Sequence, residues 1–70
     1  MSAHERGLAN GLKEERARRA LTQDALAALV GVSRKTINTI ETGRFVPSTL
    51  LALRLAEALG RRVEEIFWLT

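Results

Sequence analysis

The sequence has no cysteine and a single histidine, His4, close to its start. Disulfide staples and thiolate metal sites are thereby excluded, and a site built on imidazole has one ligand to draw on. No metal and no cofactor is expected. No apolar run approaches the roughly 18 residues of a membrane span, and the first residues lack a signal peptide's apolar core. This predicts a soluble, cytoplasmic protein with no membrane partner. Catalytic constellations are missing too. No serine or cysteine nucleophile has a histidine partner, Glu64 and Glu65 are adjacent and diverge on a helix, and the glycines are too scattered to cradle a phosphate. An enzyme is not expected.

What remains is a chain of 70 residues, enough for one small domain. Hydrophobic residues make up 46% of it, mostly alanine and leucine, which favours an all-helical fold. The net charge is +3 and the sequence pI about 10.6, with arginine dominating the basic side. An arginine-rich domain suggests a partner bearing phosphates or carboxylates. A basic solvated surface fits the composition equally well, so position has to decide.

Local punctuation divides the chain into five helices. The first is predicted from Gly11 to Arg19 with Asn10 as N-cap, and residues 1–9 are either a tail or an extra helical turn. Thr22 caps a second helix, Gln23 to Val30, with Leu26, Leu29 and Val30 as its inner stripe and Gly31 as its stop. Ser33 caps a third, which ends at Thr42-Gly43. After Pro47, Ser48 caps a fourth that runs to Leu59 and stops at Gly60, with Leu51, Ala52, Leu55, Ala56 and Leu59 inward. A last turn spans Val63 to Phe67, with Ile66 and Phe67 buried.

The stretch GVSRKTINTIETGR carries the functional signal. At about 100° per residue Ile37 and Ile40 share one side of the third helix. Arg34, Lys35, Asn38, Thr39 and Thr42 spread over the other, a face with donors and no acid. Helices two and three, about 22–42, form a helix-turn-helix unit, whose second helix can enter the DNA major groove. Arginine or lysine can donate to guanine O6 and N7, asparagine can bind adenine bidentately, and a threonine methyl can touch that of thymine.

The segment LTQDALAALVGVSRKTINTIETGR resembles the Cro/C1-type (Xre-like) helix-turn-helix regulators, small single-domain type, and the likeness extends from about Asn10 to Leu69. It implies a five-helix, lambda-repressor-like DNA-binding domain over 10–70 and double-stranded DNA as the partner. Carried over by position, it implies base contacts from Arg34, Lys35, Asn38 and Thr39. Phosphate contacts fall to Thr22, Gln23, Ser33, Thr36, Thr42 and Arg44, with Gln23 also bracing the recognition helix. Arg16 and Glu41 match an ion pair that locks helix one to helix three. The chain departs from the family pattern at three positions. Glu15 replaces an apolar residue, so helix one is expected to sit differently or to be partly exposed there. Ala20 replaces a glycine, which strains the turn or changes its form. Thr42 replaces a frequent asparagine, which weakens the αL cap and one phosphate contact.

So small a core is marginal alone, and a homodimer would relieve it. Leu50 and Leu53 fall off the fourth helix's stripe, and Phe67-Trp68-Leu69 is an apolar run. These five residues are the expected dimer interface, either through a short C-terminal strand paired with its symmetry mate or through side chains packed across a two-fold axis. The competing reading folds Trp68 back over its own core. Arg18, Arg19, Arg61, Arg62 and His4 read as solvated. The function expected is a repressor on a pseudo-palindromic operator, nucleoid-associated when DNA-bound, with no small-molecule ligand. The alternative is an antitoxin-like module that holds a protein partner such as a toxin.

Overall fold

Three hydroxyl side chains start three of the helices. Thr22 Oγ1 accepts the Ala25 N–H at 3.0 Å, Ser33 Oγ accepts that of Thr36 at 3.2 Å, and Ser48 Oγ accepts that of Leu51 at 3.1 Å. Each satisfies an N–H that has no partner inside its helix. The computed structural model describes residues 7–70, so His4 and the rest of the expected tail up to residue 6 lie outside the described residues. The order is β1 (Leu8–Asn10), α1 (Leu12–Arg18), α2 (Gln23–Val30), α3 (Arg34–Glu41), α4 (Thr49–Leu59), α5 (Val63–Ile66) and β2 (Phe67–Leu69). Gly31 and Gly60, at φ 75° and 64°, end α2 and α4 in the left-handed conformation that glycine adopts without steric cost. Among the described residues no helix is long and apolar enough to cross a membrane.

Helix α2 lies at the centre, packed against α3 and α4, while α1 rests on α3 and α5 on α4. Leu12, Leu26, Ile37, Ile40, Leu55 and Ile66 are fully buried where these helices meet. The inner stripe of α2 is Leu26, Ala27 and Val30, which corrects the expectation for Leu29. Leu29 lies about 100° of helix from Val30. It is 62% exposed, in a groove it shares with Arg54 and Glu57.

The chain ends meet in a two-stranded antiparallel sheet that pairs Leu8 with Leu69, Ala9 with Trp68 and Asn10 with Phe67. Gly11 N–H to the Ile66 carbonyl, 2.8 Å, and Thr70 N–H to the Gly7 carbonyl, 3.0 Å, continue the ladder. The described part of the expected tail or helical turn is therefore a strand. The C-terminal strand finds a partner within its own chain. Phe67 is part of the core of its own chain, because alternate side chains of a strand face opposite ways and Phe67 takes the inner one. Trp68 is 46% exposed, with its ring against Gly11.

The departures have structural outcomes. Glu15 is buried, not partly exposed, and it is charge-paired with Arg18 at 3.2 Å and with Arg61. Arg61, which also meets Glu65 at 3.1 Å, is thus part of the link between α1 and α5 and not a solvated residue. Arg19 is likewise engaged, its Nε donating to the Leu59 carbonyl at 3.1 Å. Ala20 takes φ 55°, a left-handed conformation that costs a non-glycine residue about 1–2 kcal/mol. Thr42 is right-handed at φ −85°, and Gly43 at φ 77° makes the left-handed turn, so the α3 cap does not depend on an asparagine at 42.

Candidate nucleic-acid interface

The helix-turn-helix unit is α2, the Gly31 turn and α3. The turn is short because Gly31 reverses the chain at once and Ser33 restarts a helix two residues later. Ile37 and Ile40 anchor α3 in the core, which leaves Arg34, Lys35 and Asn38 exposed on its outer face. With Gln23 from α2 these three line one cleft. Thr39 stands apart, half-buried, its hydroxyl donating to the Thr36 carbonyl at 2.9 Å. Its methyl and its oxygen lone pairs remain for a ligand.

Gln23 is fully engaged. Its Nε2 donates to Glu41 Oε1 at 3.0 Å and to Asn38 Oδ1 at 3.3 Å, while its Oε1 accepts from Arg34 Nε at 3.3 Å. Behind it, Arg16 Nε donates to Glu41 Oε2 at 2.8 Å and Arg16 Nη2 to Oε1 at 3.3 Å. A third bond, from Arg16 Nη1 to the Leu21 carbonyl at 2.8 Å, ties the end of α1 to the start of the helix-turn-helix. The hydrogen bond to Glu41 raises the Arg16 pKa, burial opposes it and the neighbouring charge adds to it. The one acid of α3 is thus neutralised from behind, and the face it borders stays basic.

Hydroxyl groups lie at the starts of α2 and α3 and just past the end of α3. Thr22 and Ser33 accept backbone N–H groups at the starts of α2 and α3, and Ser33 also shares a hydroxyl–hydroxyl hydrogen bond with Thr36. Thr36 Oγ1 lies 3.1 Å from Ser33 Oγ. The Thr42 hydroxyl is placed to donate to the Asn38 carbonyl at 3.0 Å or the Thr39 carbonyl at 3.3 Å, so donating to a phosphate requires it to give up those bonds. Arg44 is exposed just past α3, its N–H bonded to the Thr39 carbonyl at 2.9 Å. Two helix N-termini beside arginine, lysine and hydroxyls form a surface suited to a polyanion.

Asn10 escapes the sequence reading except as a cap. Its Oδ1 accepts the Leu12 N–H at 3.1 Å, and its Nδ2 donates to the Ile40 carbonyl at 2.9 Å, in the last turn of α3. The formal N-cap of α1 is Gly11. An asparagine before a helix was the only local signal, and it carries no hint of the second partner. Of the expected interface, Leu50 (59%), Leu53 (53%), Trp68 and Leu69 (56%) are exposed.

Residues 12–66 match a family model described as Helix-turn-helix. The chain is 47% identical over 60 residues to the uncharacterized HTH-type transcriptional regulator YgzD of Bacillus subtilis, covering 86% of this chain and 91% of that protein. An uncharacterized HTH-type transcriptional regulator of Methanothermobacter thermautotrophicus is 51% identical over 57 residues, covering 80% and 83% respectively. The crystal structure of the restriction-modification controller protein C.AhdI from Aeromonas hydrophila superposes with a TM-score of 0.73 at 35% identity, covering 77% of this chain and 82% of that one. The matched segment takes in α1 to α5, the whole frame that holds Gln23 and the α3 face. The chain therefore belongs to the Cro/C1-type helix-turn-helix family and is a transcriptional regulator with a helix-turn-helix DNA-binding domain.

Proposed function

We propose that this regulator recognises one double-stranded DNA sequence, binds it as a homodimer on a pseudo-palindromic operator, and represses by occupying that site. The observation that carries the reading is the α3 face, where Arg34, Lys35 and Asn38 stand exposed beside Gln23 while Glu41 is held by Arg16. Arg34, Lys35, Asn38 and Thr39 read base edges. Thr22, Ser33, Thr36, Thr42 and Arg44 set the register on the phosphates, joined by Gln23 through its main-chain N–H at the start of α2, since both of its amide hydrogens are engaged. Leu50, Leu53, Trp68 and Leu69 form the dimer surface, their exposure in one chain being the support for it. The likeness to a restriction-modification controller favours control of gene expression over a purely architectural role.

Selection from a random duplex library, followed by salt titration on the winner, tests this directly. The expected winner is a pseudo-palindrome with half-sites roughly 34 Å apart, preferred by about a thousandfold or more over random duplex. Weak binding that is blind to sequence and abolished by salt would reduce the face to non-specific electrostatics.

A further inference from the structure

Four side chains stand in a row from the interior to the reading face: Arg16, Glu41, Gln23 and Asn38. Each link has a defined sense. A guanidinium only donates and an ionised carboxylate only accepts. Gln23 lies between two such groups, Glu41 Oε1 at 3.0 Å and Arg34 Nε at 3.3 Å. Its amide nitrogen must face the carboxylate and its oxygen the guanidinium. The opposite orientation would set oxygen against oxygen and N–H against N–H. The second hydrogen of Gln23 Nε2 then points at Asn38, 3.3 Å away, and requires an acceptor there, which only Oδ1 can supply. Asn38 is thereby left with its NH2 group outward, and that group has no protein hydrogen bond among the described residues.

We infer that Glu41, acting through Gln23, fixes the amide sense of Asn38, so that Asn38 favours a base edge offering an acceptor (purine N7, guanine O6 or thymine O4) and rejects one offering only the N4 donor of cytosine. The inference rests on the DNA-reading role proposed above for Asn38. The second lone pair of Oδ1 still permits the paired contact with adenine N6 and N7. What the row removes is the flipped amide, with oxygen outward, which would suit cytosine. Glu41 is accordingly a positioning residue. It is buried beside Arg16 and borders the base-reading surface without belonging to it.

The test compares base preference, position by position, in the wild type and three variants. Asn38→Asp keeps an acceptor toward Gln23 and turns one outward. It should move the preference to cytosine at a single position of each half-site, by about tenfold or more. Glu41→Gln and Gln23→Met should both erase the discrimination against cytosine at that same position and at no other. The second of these keeps the Arg16–Glu41 pair, in case the first unfolds the domain. In the free protein, the side-chain amide NMR signals of Asn38 should also move in Gln23→Met, a readout that a purely structural role for Gln23 would leave alone. A wild type that selects a site, with variants that weaken all duplexes alike and keep the discrimination, overturns the inference and leaves the DNA reading standing. A wild type that selects nothing overturns both, and unmoved Asn38 signals overturn the relay without any DNA present.

Discussion

The side-chain amide of Asn10 donates to the main-chain carbonyl of Ile40 at 2.9 Å, joining the first strand to the last turn of the recognition helix. The same amide accepts the Leu12 N–H, so both of its ends are occupied by backbone. Asn10→Ala should destabilise the fold by about 1 kcal/mol or somewhat more, because a helix-start N–H loses its acceptor and the Ile40 carbonyl keeps only the Gly43 N–H of its two donors. Asn10→Asp should not rescue it, since a carboxylate restores the acceptor for Leu12 but faces the Ile40 carbonyl with a second oxygen. Urea unfolding of both variants checks this, and a fully stable Asp variant would contradict it.

Arg16→Met should cost about 3 kcal/mol or more, because it leaves the Glu41 carboxylate buried without its cation. Folding raises the Arg16 pKa, chiefly through the hydrogen bond to Glu41. A group with a raised folded pKa contributes its full stabilisation below the unfolded value and loses it only as pH climbs through the folded one. The stability difference between wild type and Arg16→Met should therefore not decline through deprotonation of this guanidinium from about pH 7 to about pH 10. Urea titrations across that range measure it, and a gap that closed there would rule out this origin.

Ala20 occupies a left-handed conformation at φ 55°. Ala20→Gly should raise stability by about 1 kcal/mol, with the relief of backbone strain partly offset by the greater freedom of glycine in the unfolded chain. Thermal melts of the two proteins at matched concentration decide it. A fall in Tm would mean that the turn is relaxed as it stands.

Leu50 and Leu53 are more than half exposed. Replacing both with serine should leave the fold of the single chain within about 0.5 kcal/mol while abolishing the dimer in sedimentation experiments. A pair of serines that left the dimer intact would move the interface elsewhere, with Trp68 and Leu69 next to be tried.

Arg34→Ala should relax base preference at one position of each half-site. Arg44→Ala should weaken binding to every duplex alike and reduce the salt slope by about 1. Identical behaviour of the two variants would end the division into reading and register-setting residues.

What could be read from the sequence follows the range of the interactions involved. The bounds of α2, α3 and α4 were legible because Thr22, Ser33, Ser48, Gly31 and Gly60 act within a few residues of themselves. The polar face of α3 was legible for the same reason, as helical periodicity places its residues without reference to the rest of the chain. Misreadings occurred where a distant partner decides. Nothing near Glu15 announces that Arg61 will reach it, and nothing near Leu8 announces a strand sixty-one positions away at Leu69. Leu29, expected on the inner stripe of α2, is exposed for the same reason. Helices α3 and α4 both pack on α2, and the side they cover takes in Ala27 and leaves Leu29 out. The row Arg16, Glu41, Gln23 and Asn38 lies in between: each residue stands out in the sequence, and only the fold sets the sense of the hydrogen bonds that link them.

The pairing of β1 with β2 also orders events in time. Throughout synthesis, Leu8–Asn10 has no strand to pair with until Phe67–Leu69 exists. The reading helix is made well before that moment, yet the Asn10 tie to its last turn depends on a strand still waiting for its mate. A chain synthesised only as far as α3 therefore carries that helix without the finished frame around it. The tie on its last turn is secured only with the closing of the ring that joins β1 to β2.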